Sequence, residues 1–186
     1  MTDPDEDILA LARGGDRDQA IRLVMQRHGG AVYRFVRSAL RDRPSVDDVH
    51  SRVFIEADRD LPRFAGRAPL RSWLFGIARH RVLDQLKSEQ GREDRLEPLD
   101  GVDVATDAPS PDEALDDALL RRALVECLDK LQPEVRQAVL LRYQQGFTFE
   151  DMSDVCNEKP GTLQARVSRA LPALKSCIER RTRKKV

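Results

Sequence analysis

The sequence predicts an all-α fold: two small helical domains joined by a flexible acidic linker. Apolar residues recur at three- and four-residue spacing along most of the 186 residues, and no segment sustains the alternation of a strand. Between Gln90 and Pro111 that spacing fails. This stretch holds Pro98, Pro109, Pro111, two glycines and a dense run of acids, with few apolar residues to bury. The last third carries the turn chemistry of two helices joined by a tight corner. The expected division is residues 1–92, a linker at 93–111, and residues 112–186.

Each element has a local reason. Asp3-Pro4-Asp5-Glu6 reads as a capping box with proline in the first helical turn, opening a helix that ends at Gly14-Gly15. Asp16 to about His28 is expected as a second helix, stopped by Gly29-Gly30, and Ala31 to Leu40 as a third with Val32, Phe35, Val36 and Leu40 inward. Ser45-Val46-Asp47-Asp48 should cap a fourth, which carries Val49, Val53 and Ile55 as far as Pro62. Pro69 opens a long helix to about Glu89 through Trp73, Leu74, Ile77, Val82 and Leu86. After the linker, Ser110-Pro111-Asp112-Glu113 restarts helix, with Leu120, Leu124, Cys127 and Leu128 as its apolar face. Pro133 to about Gln145 follows, closed by Gly146.

The next segment is a helix-turn-helix. Thr148 can accept from the Asp151 backbone N–H while the Asp151 carboxylate reaches back, a capping box that starts a short helix. Asn157 tolerates the left-handed conformation of a tight turn, and Pro160 sits where a missing N–H costs nothing. On the second helix, Leu163, Val167, Ala170, Leu171 and Leu174 share one side. The other side carries Gly161, Thr162, Ala165, Ser168 and Arg169, flanked by Gln164 and Arg166. Small residues let a helix approach base edges, and Gln and Arg match adenine and guanine in the major groove. Pro172 removes the N–H that would bond the Ser168 carbonyl, so a kink or break is expected near Leu171 before helix resumes through Leu174 and Ile178.

Charge supports a nucleic-acid partner once it is resolved along the chain. Lys plus Arg equal Asp plus Glu at 32 each, so the whole chain is neutral. From Arg59 to Arg92, seven arginines and one lysine face three acids. From Glu93 to Asp117, ten acids face Arg95 alone, and from Lys159 onward nine bases face Glu179 alone. Two basic modules flank an acidic connector, and the local field decides what each attracts.

Other classes are not expected. No signal peptide and no bilayer-length apolar run is visible, so a cytoplasmic protein with no membrane contact is expected. Cys127, Cys156 and Cys177 are odd in number and lack a close pair, which reads as reduced packing residues. His28, His50 and His80 are scattered, no nucleophile–base pair or phosphate loop is visible, and neither catalysis nor a metal or other cofactor is expected.

These residues carry a resemblance. The run from Asp47 to Ile55 (DDVHSRVFI) and that from Leu61 to His80 (LPRFAGRAPLRSWLFGIARH) are similar to domain 2 of extracytoplasmic-function (ECF) RNA polymerase sigma factors of the sigma-70 family. The run from Leu131 to Tyr143 (LQPEVRQAVLLRY) with the helix-turn-helix resembles domain 4 of the same family. The resemblance implies a protein that binds core RNA polymerase, directs it to promoters, helps open the duplex and catalyses nothing itself. A free-standing helix-turn-helix regulator is the alternative, but it gives the Arg-rich, aromatic-bearing helix around Trp73 no task.

The resemblance also implies site residues and partners. Asp47, Asp48, Ser51, Arg52 and Phe54 would dock on the clamp helices of the polymerase large subunit, with helix capping and core packing as the competing readings for the acids and Phe54. Domain 4 would meet the polymerase flap. Arg63, Phe64, Arg67, Arg71, Arg79, His80 and Lys87 would bind and melt the minus-ten element. Splayed bases stack on aromatic walls while cations hold phosphates; Trp73, in register with Ile77, reads as core rather than wall. Thr162, Gln164, Ala165, Arg166, Ser168 and Arg169 would read the minus-thirty-five element. Ser51, Arg52, Ala65, Arg67, His80 and Pro172 depart from the family's usual residues. The linker would thread towards the basic active-site cleft, or serve only as a solvated spacer, and an anti-sigma factor is a further partner the family often has.

Overall fold

The computed structural model describes residues 4–40, 42–93 and 113–183. Among these are eight α-helices and no strand: α1 (Glu6–Arg13), α2 (Arg17–Ala39), α3 (Arg43–Asp60), α4 (Leu70–Glu93), α5 (Glu113–Leu128), α6 (Pro133–Val139), α7 (Phe149–Cys156) and α8 (Pro160–Arg183). A 3-10 turn, Leu61–Arg63, joins α3 to the loop before α4, and a π-helical turn, Leu140–Gln144, extends α6. Helices α1 to α4 pack as one group, termed domain 2 after the resemblance, and α5 to α8 as a second, termed domain 4.

In domain 2, α2 and α4 both pack on α3, and α1 lies on α2. Val24, Val32, Phe35 and Val36 of α2, Val49, Val53 and Ala57 of α3, and Leu74, Phe75, Ala78 and Val82 of α4 are buried. In domain 4, α8 is the central element, packed on α5, α6 and α7. Its stripe is the one the spacing predicts: Leu163, Val167, Ala170 and Leu174 are buried and Leu171 is half-buried.

Several sequence expectations change. Gly29-Gly30 does not stop a helix; α2 runs through it from Arg17 to Ala39. Each glycine costs about 1 kcal/mol relative to alanine, but buried residues on both sides outweigh this. The cap read at Asp3 lies outside the described residues; α1 follows Asp5, whose side chain makes no cap and whose carboxylate meets His28 Nε2 at 3.1 Å and accepts from Arg27 at 2.8 Å. The cap of α3 is Asp42, which accepts from the Ser45 N–H at 2.8 Å, so that helix begins earlier than the Ser45 reading placed it. Ile55, Leu120 and Leu124 face outward rather than in. The expected cap at Ser110-Pro111-Asp112 and most of the acidic linker lie outside the described residues, although α4 runs into the linker's first position, Glu93.

The break at Pro172 does not occur: α8 is continuous from Pro160 to Arg183. Pro172 and Ser168 are both exposed, so the proline lies on the solvent side of α8, where a carbonyl without its helical partner costs least. Buried Ala170 and Leu174 clamp the helix on either side. The three cysteines are not all free either. Cys127 of α5 and Cys177 of α8 form a disulfide across 50 residues, leaving Cys156 as a buried thiol.

The two domains touch, which no local pattern foretold. Buried apolar residues of both form one contiguous cluster. A line of edge-on rings runs through it from Phe35 to Phe75 (5.5 Å) and from Phe75 to Phe147 (5.1 Å). On α2, the Ser38 carbonyl accepts from Arg136 Nη2 at 2.5 Å and its hydroxyl accepts from Gln144 Nε2 at 2.7 Å.

Candidate nucleic-acid interface

The helix-turn-helix is built as its local chemistry dictates. Asp151 N–H donates to Thr148 Oγ1 at 3.0 Å and Thr148 N–H to Asp151 Oδ2 at 3.0 Å, closing the capping box. Asn157 takes φ 52° and ψ 44° at the turn, and Pro160 starts α8. The π-helical turn before it ends at Gln144, and Gly146 beyond it takes a φ of 72°, which suits glycine. These local restraints set α8 across α7 with its buried stripe inward.

The opposite side of α8 is open. Thr162, Gln164, Ser168 and Arg169 are exposed and Ala165 is half-buried. Arg169 leans back along the helix, its Nε donating to the Ala165 carbonyl at 3.2 Å. Arg166 behaves differently: it donates to both carboxylate oxygens of Glu158, at 2.8 and 2.5 Å. That hydrogen bonding holds the Glu158 carboxyl below its ordinary range and raises Arg166 above its own. The bidentate pair keeps Arg166 at the turn rather than on the open face.

The residues assigned to the minus-ten element divide in two. Arg63, Arg67, His80 and Lys87 are exposed, Phe64 is half-buried, and its ring lies 5.1 Å from the Trp73 ring. Trp73 is half-buried against the core, so it both packs and walls the loop. His80 Nδ1 lies 3.2 Å from Asp84. Arg71 and Arg79 are turned towards domain 4. Arg71 Nη2 donates to the Gln145 carbonyl at 2.5 Å and its guanidinium lies 4.1 Å over the Phe147 ring. Burial lowers its pKa from the usual arginine value. Arg79 lies 3.8 Å from Glu158.

A second surface lies on α3. Asp47, Asp48, Ser51 and Arg52 are exposed, with Asp48 and Arg52 paired at 2.9 Å. Phe54 is 5% exposed, its ring 5.0 Å from that of His50, so it supports this helix from behind. Ile55 is 69% exposed beside Arg52 and Ser51, an apolar contact point that the sequence reading turned inward. The period could have found it: Val49, Val53 and Ala57 are spaced by four on the buried side, and Ile55 lies opposite them. The seat of Gln145 and Phe147 on α4 had no such signal. Among the described residues no cluster of potential metal ligands occurs, and no helix is long and apolar enough to cross a membrane.

Comparison with known proteins agrees with this geometry. The family profile Sigma-70 region 2 matches residues 24–92, and Sigma-70, region 4 matches residues 121–174. Two helical domains carrying these regions in this order define a sigma-70-type initiation factor. The ECF RNA polymerase sigma factor SigK of Mycobacterium ulcerans is 30% identical over 189 residues, covering 96% of this chain and 99% of that protein. The ECF RNA polymerase sigma-E factor of Haemophilus influenzae is 26% identical over 186 residues, covering 94% and 95%. The chain belongs to the ECF sigma factor family, whose members direct RNA polymerase to promoters. The fold is shared with the sigma factor RpoE solved with the anti-sigma factor NepR from Bartonella quintana (TM-score 0.68, 23% identity, 85% of this chain and 96% of that one). It is shared also with CnrH solved with the cytosolic domain of CnrY (TM-score 0.67, 22% identity, 94% and 97%).

Proposed function

We propose that this sigma factor reads the minus-thirty-five element with the open face of α8 and holds the melted minus-ten strand on α4 and the loop before it. It acts by binding alone, in the cytoplasm beside the polymerase. The observation that carries the reading is the row Thr162, Gln164, Ser168 and Arg169, exposed on the first turns of the second helix of a helix-turn-helix. That is where a recognition helix meets base edges. Arg63, Phe64, Arg67 and Lys87 form the accessible part of the minus-ten surface, with Arg71 and Arg79 beside it. Asp47, Asp48, Ser51, Arg52 and Ile55 form the docking face for the polymerase clamp, with Phe54 bracing it. Residues 1–92, 93–111 and 112–186 serve as domain 2, linker and domain 4. An anti-sigma partner fits the company kept by the two structural neighbours.

The test is run-off transcription with core polymerase on a promoter library. Arg169→Ala or Gln164→Ala should cost roughly 1–3 kcal/mol and relax preference at one upstream position. Truncation after Glu179 should instead weaken binding to all sequences alike and lower the salt dependence. Identical behaviour of both variants on specific and random DNA would remove α8 as the reading helix. Sequence-specific duplex binding and regulation with no requirement for the chain in initiation would favour a free-standing regulator.

A further inference from the structure

The exposed face of α3 carries two adjacent acids, and the fold holds them in different ways. Asp48 is paired with Arg52, one turn along its own helix, at 2.9 Å, so part of its charge is cancelled before any partner arrives. Asp47 is held from another helix by a neutral group: the Tyr33 hydroxyl of α2 donates to its Oδ1 at 3.2 Å. A hydroxyl fixes the direction of a carboxylate and leaves its charge in place. Ser51 offers no competing donor, because its hydroxyl is turned back to the Asp47 carbonyl at 2.8 Å.

Tyr33 is itself propped. Its ring meets the His50 ring edge-on, with centroids 5.3 Å apart and planes at 84°, and His50 in turn meets Phe54 at 5.0 Å and 62°. Phe54, 5% exposed, is the foot of this ladder. His50 Nε2 lies 3.3 Å from the Gly29 carbonyl, which can only accept, so the imidazole donates there and its ring is tied to α2. Gly29 and Tyr33 stand one turn apart on α2, while Asp47, His50 and Phe54 follow one another along one side of α3. An exposed aspartate normally surrenders side-chain freedom when a partner captures it. Here the ladder has already fixed it.

We propose that Tyr33 is a positioning residue for polymerase docking, acting through Asp47, whose carboxylate it aims at the partner, while His50 holds the Tyr33 ring in place from the Phe54 side. This rests on the assignment of Asp47 to the docking face.

A double-mutant cycle on the full chain tests it, read as affinity for core RNA polymerase by fluorescence anisotropy of chain labelled at its N terminus, without DNA. Tyr33→Phe keeps the ring and removes only the hydroxyl. It should weaken docking about threefold to tenfold, the worth of one ordinary hydrogen bond, and leave the melting temperature unchanged. Asp47→Ala should weaken docking at least as much. In the Asp47→Ala background Tyr33→Phe should then change nothing, because the group it aims is gone. His50→Ala should weaken docking in the wild-type chain and much less in the Tyr33→Phe background.

Equal losses from Tyr33→Phe with and without Asp47→Ala would mean that Tyr33 supports the fold or touches the polymerase directly, and would overturn the proposal. No loss from Tyr33→Phe while Asp47→Ala docks poorly would overturn the positioning and leave the docking face standing. A His50→Ala loss undiminished in the Tyr33→Phe background would remove His50 from the ladder. Normal docking by Asp47→Ala would overturn the assignment of Asp47 itself.

Discussion

Reducing the Cys127–Cys177 bond should cost domain 4 a measurable share of its stability. On α5, Ala123, Cys127 and Leu128 are buried, while Leu120, Leu124 and Val125 on its other side face out. Its ion pair from Glu126 to Arg181 is partly exposed, and such a pair contributes at most about 1 kcal/mol. The disulfide therefore supplies much of what keeps α5 on α8. It joins positions 50 residues apart. Loop-closure entropy for that separation is about 14 cal/mol/K, or about 4 kcal/mol at 25 °C. This treats the unfolded chain as structureless, so it is an upper value.

The assay is guanidinium unfolding followed by far-UV circular dichroism, comparing the oxidised chain with the reduced chain and with Cys177→Ser. With a slope of about 4 kcal/mol/M, the midpoint should fall by about 1 M. Thiol titration of the unfolded, unreduced chain should find Cys156 alone. Coincident unfolding curves, or three reactive thiols, would refute the reasoning.

Thr148→Ala removes the side-chain half of the α7 capping box and should cost about 1 kcal/mol, seen as a lower melting temperature. Gln137 is 1% exposed with neither end of its amide hydrogen-bonded, so Gln137→Met should stabilise the chain by about 1 kcal/mol in denaturant titration; a loss would mean the amide has a partner. Hydrogen bonds from Arg27 hold the Asp7 carboxyl at about 2, below its ordinary 3.8. A lowered folded-state pKa gives stability that is present above the unfolded value and lost as pH falls, so acid titration between pH 4 and 2 should release α1 in the wild type, and Asp7→Asn should lack that component. Glu158→Gln should free Arg166 for phosphate, raising non-specific duplex affinity and steepening its salt dependence by about one unit; an unchanged slope would show that Arg166 stays at the turn.

What was legible in the sequence was what near neighbours decide. The capping box at Thr148 and Asp151, the left-handed Asn157, the proline opening α8 and the stripe from Leu163 to Leu174 each follow from contacts within one or two turns, and the structure repeats them. The motif runs of domains 2 and 4 were readable for the same reason. Where tertiary packing competed, the local signal lost: Gly29-Gly30 yielded to the buried sides of α2, and Pro172 was carried within α8.

The open face of α8 was therefore visible in the sequence by itself, because helical period alone turns Gln164 and Arg169 away from Leu163 and Val167. The capture of Arg166 by Glu158, the bond between Cys127 and Cys177, and the burial of Arg71 beneath Phe147 were decided only by the tertiary structure. Backbone geometry within a turn depends on residues a few positions away. The partner of a long charged side chain, or of a thiol, depends on which distant segment the fold brings within a few ångströms, and local spacing carries no record of that distance.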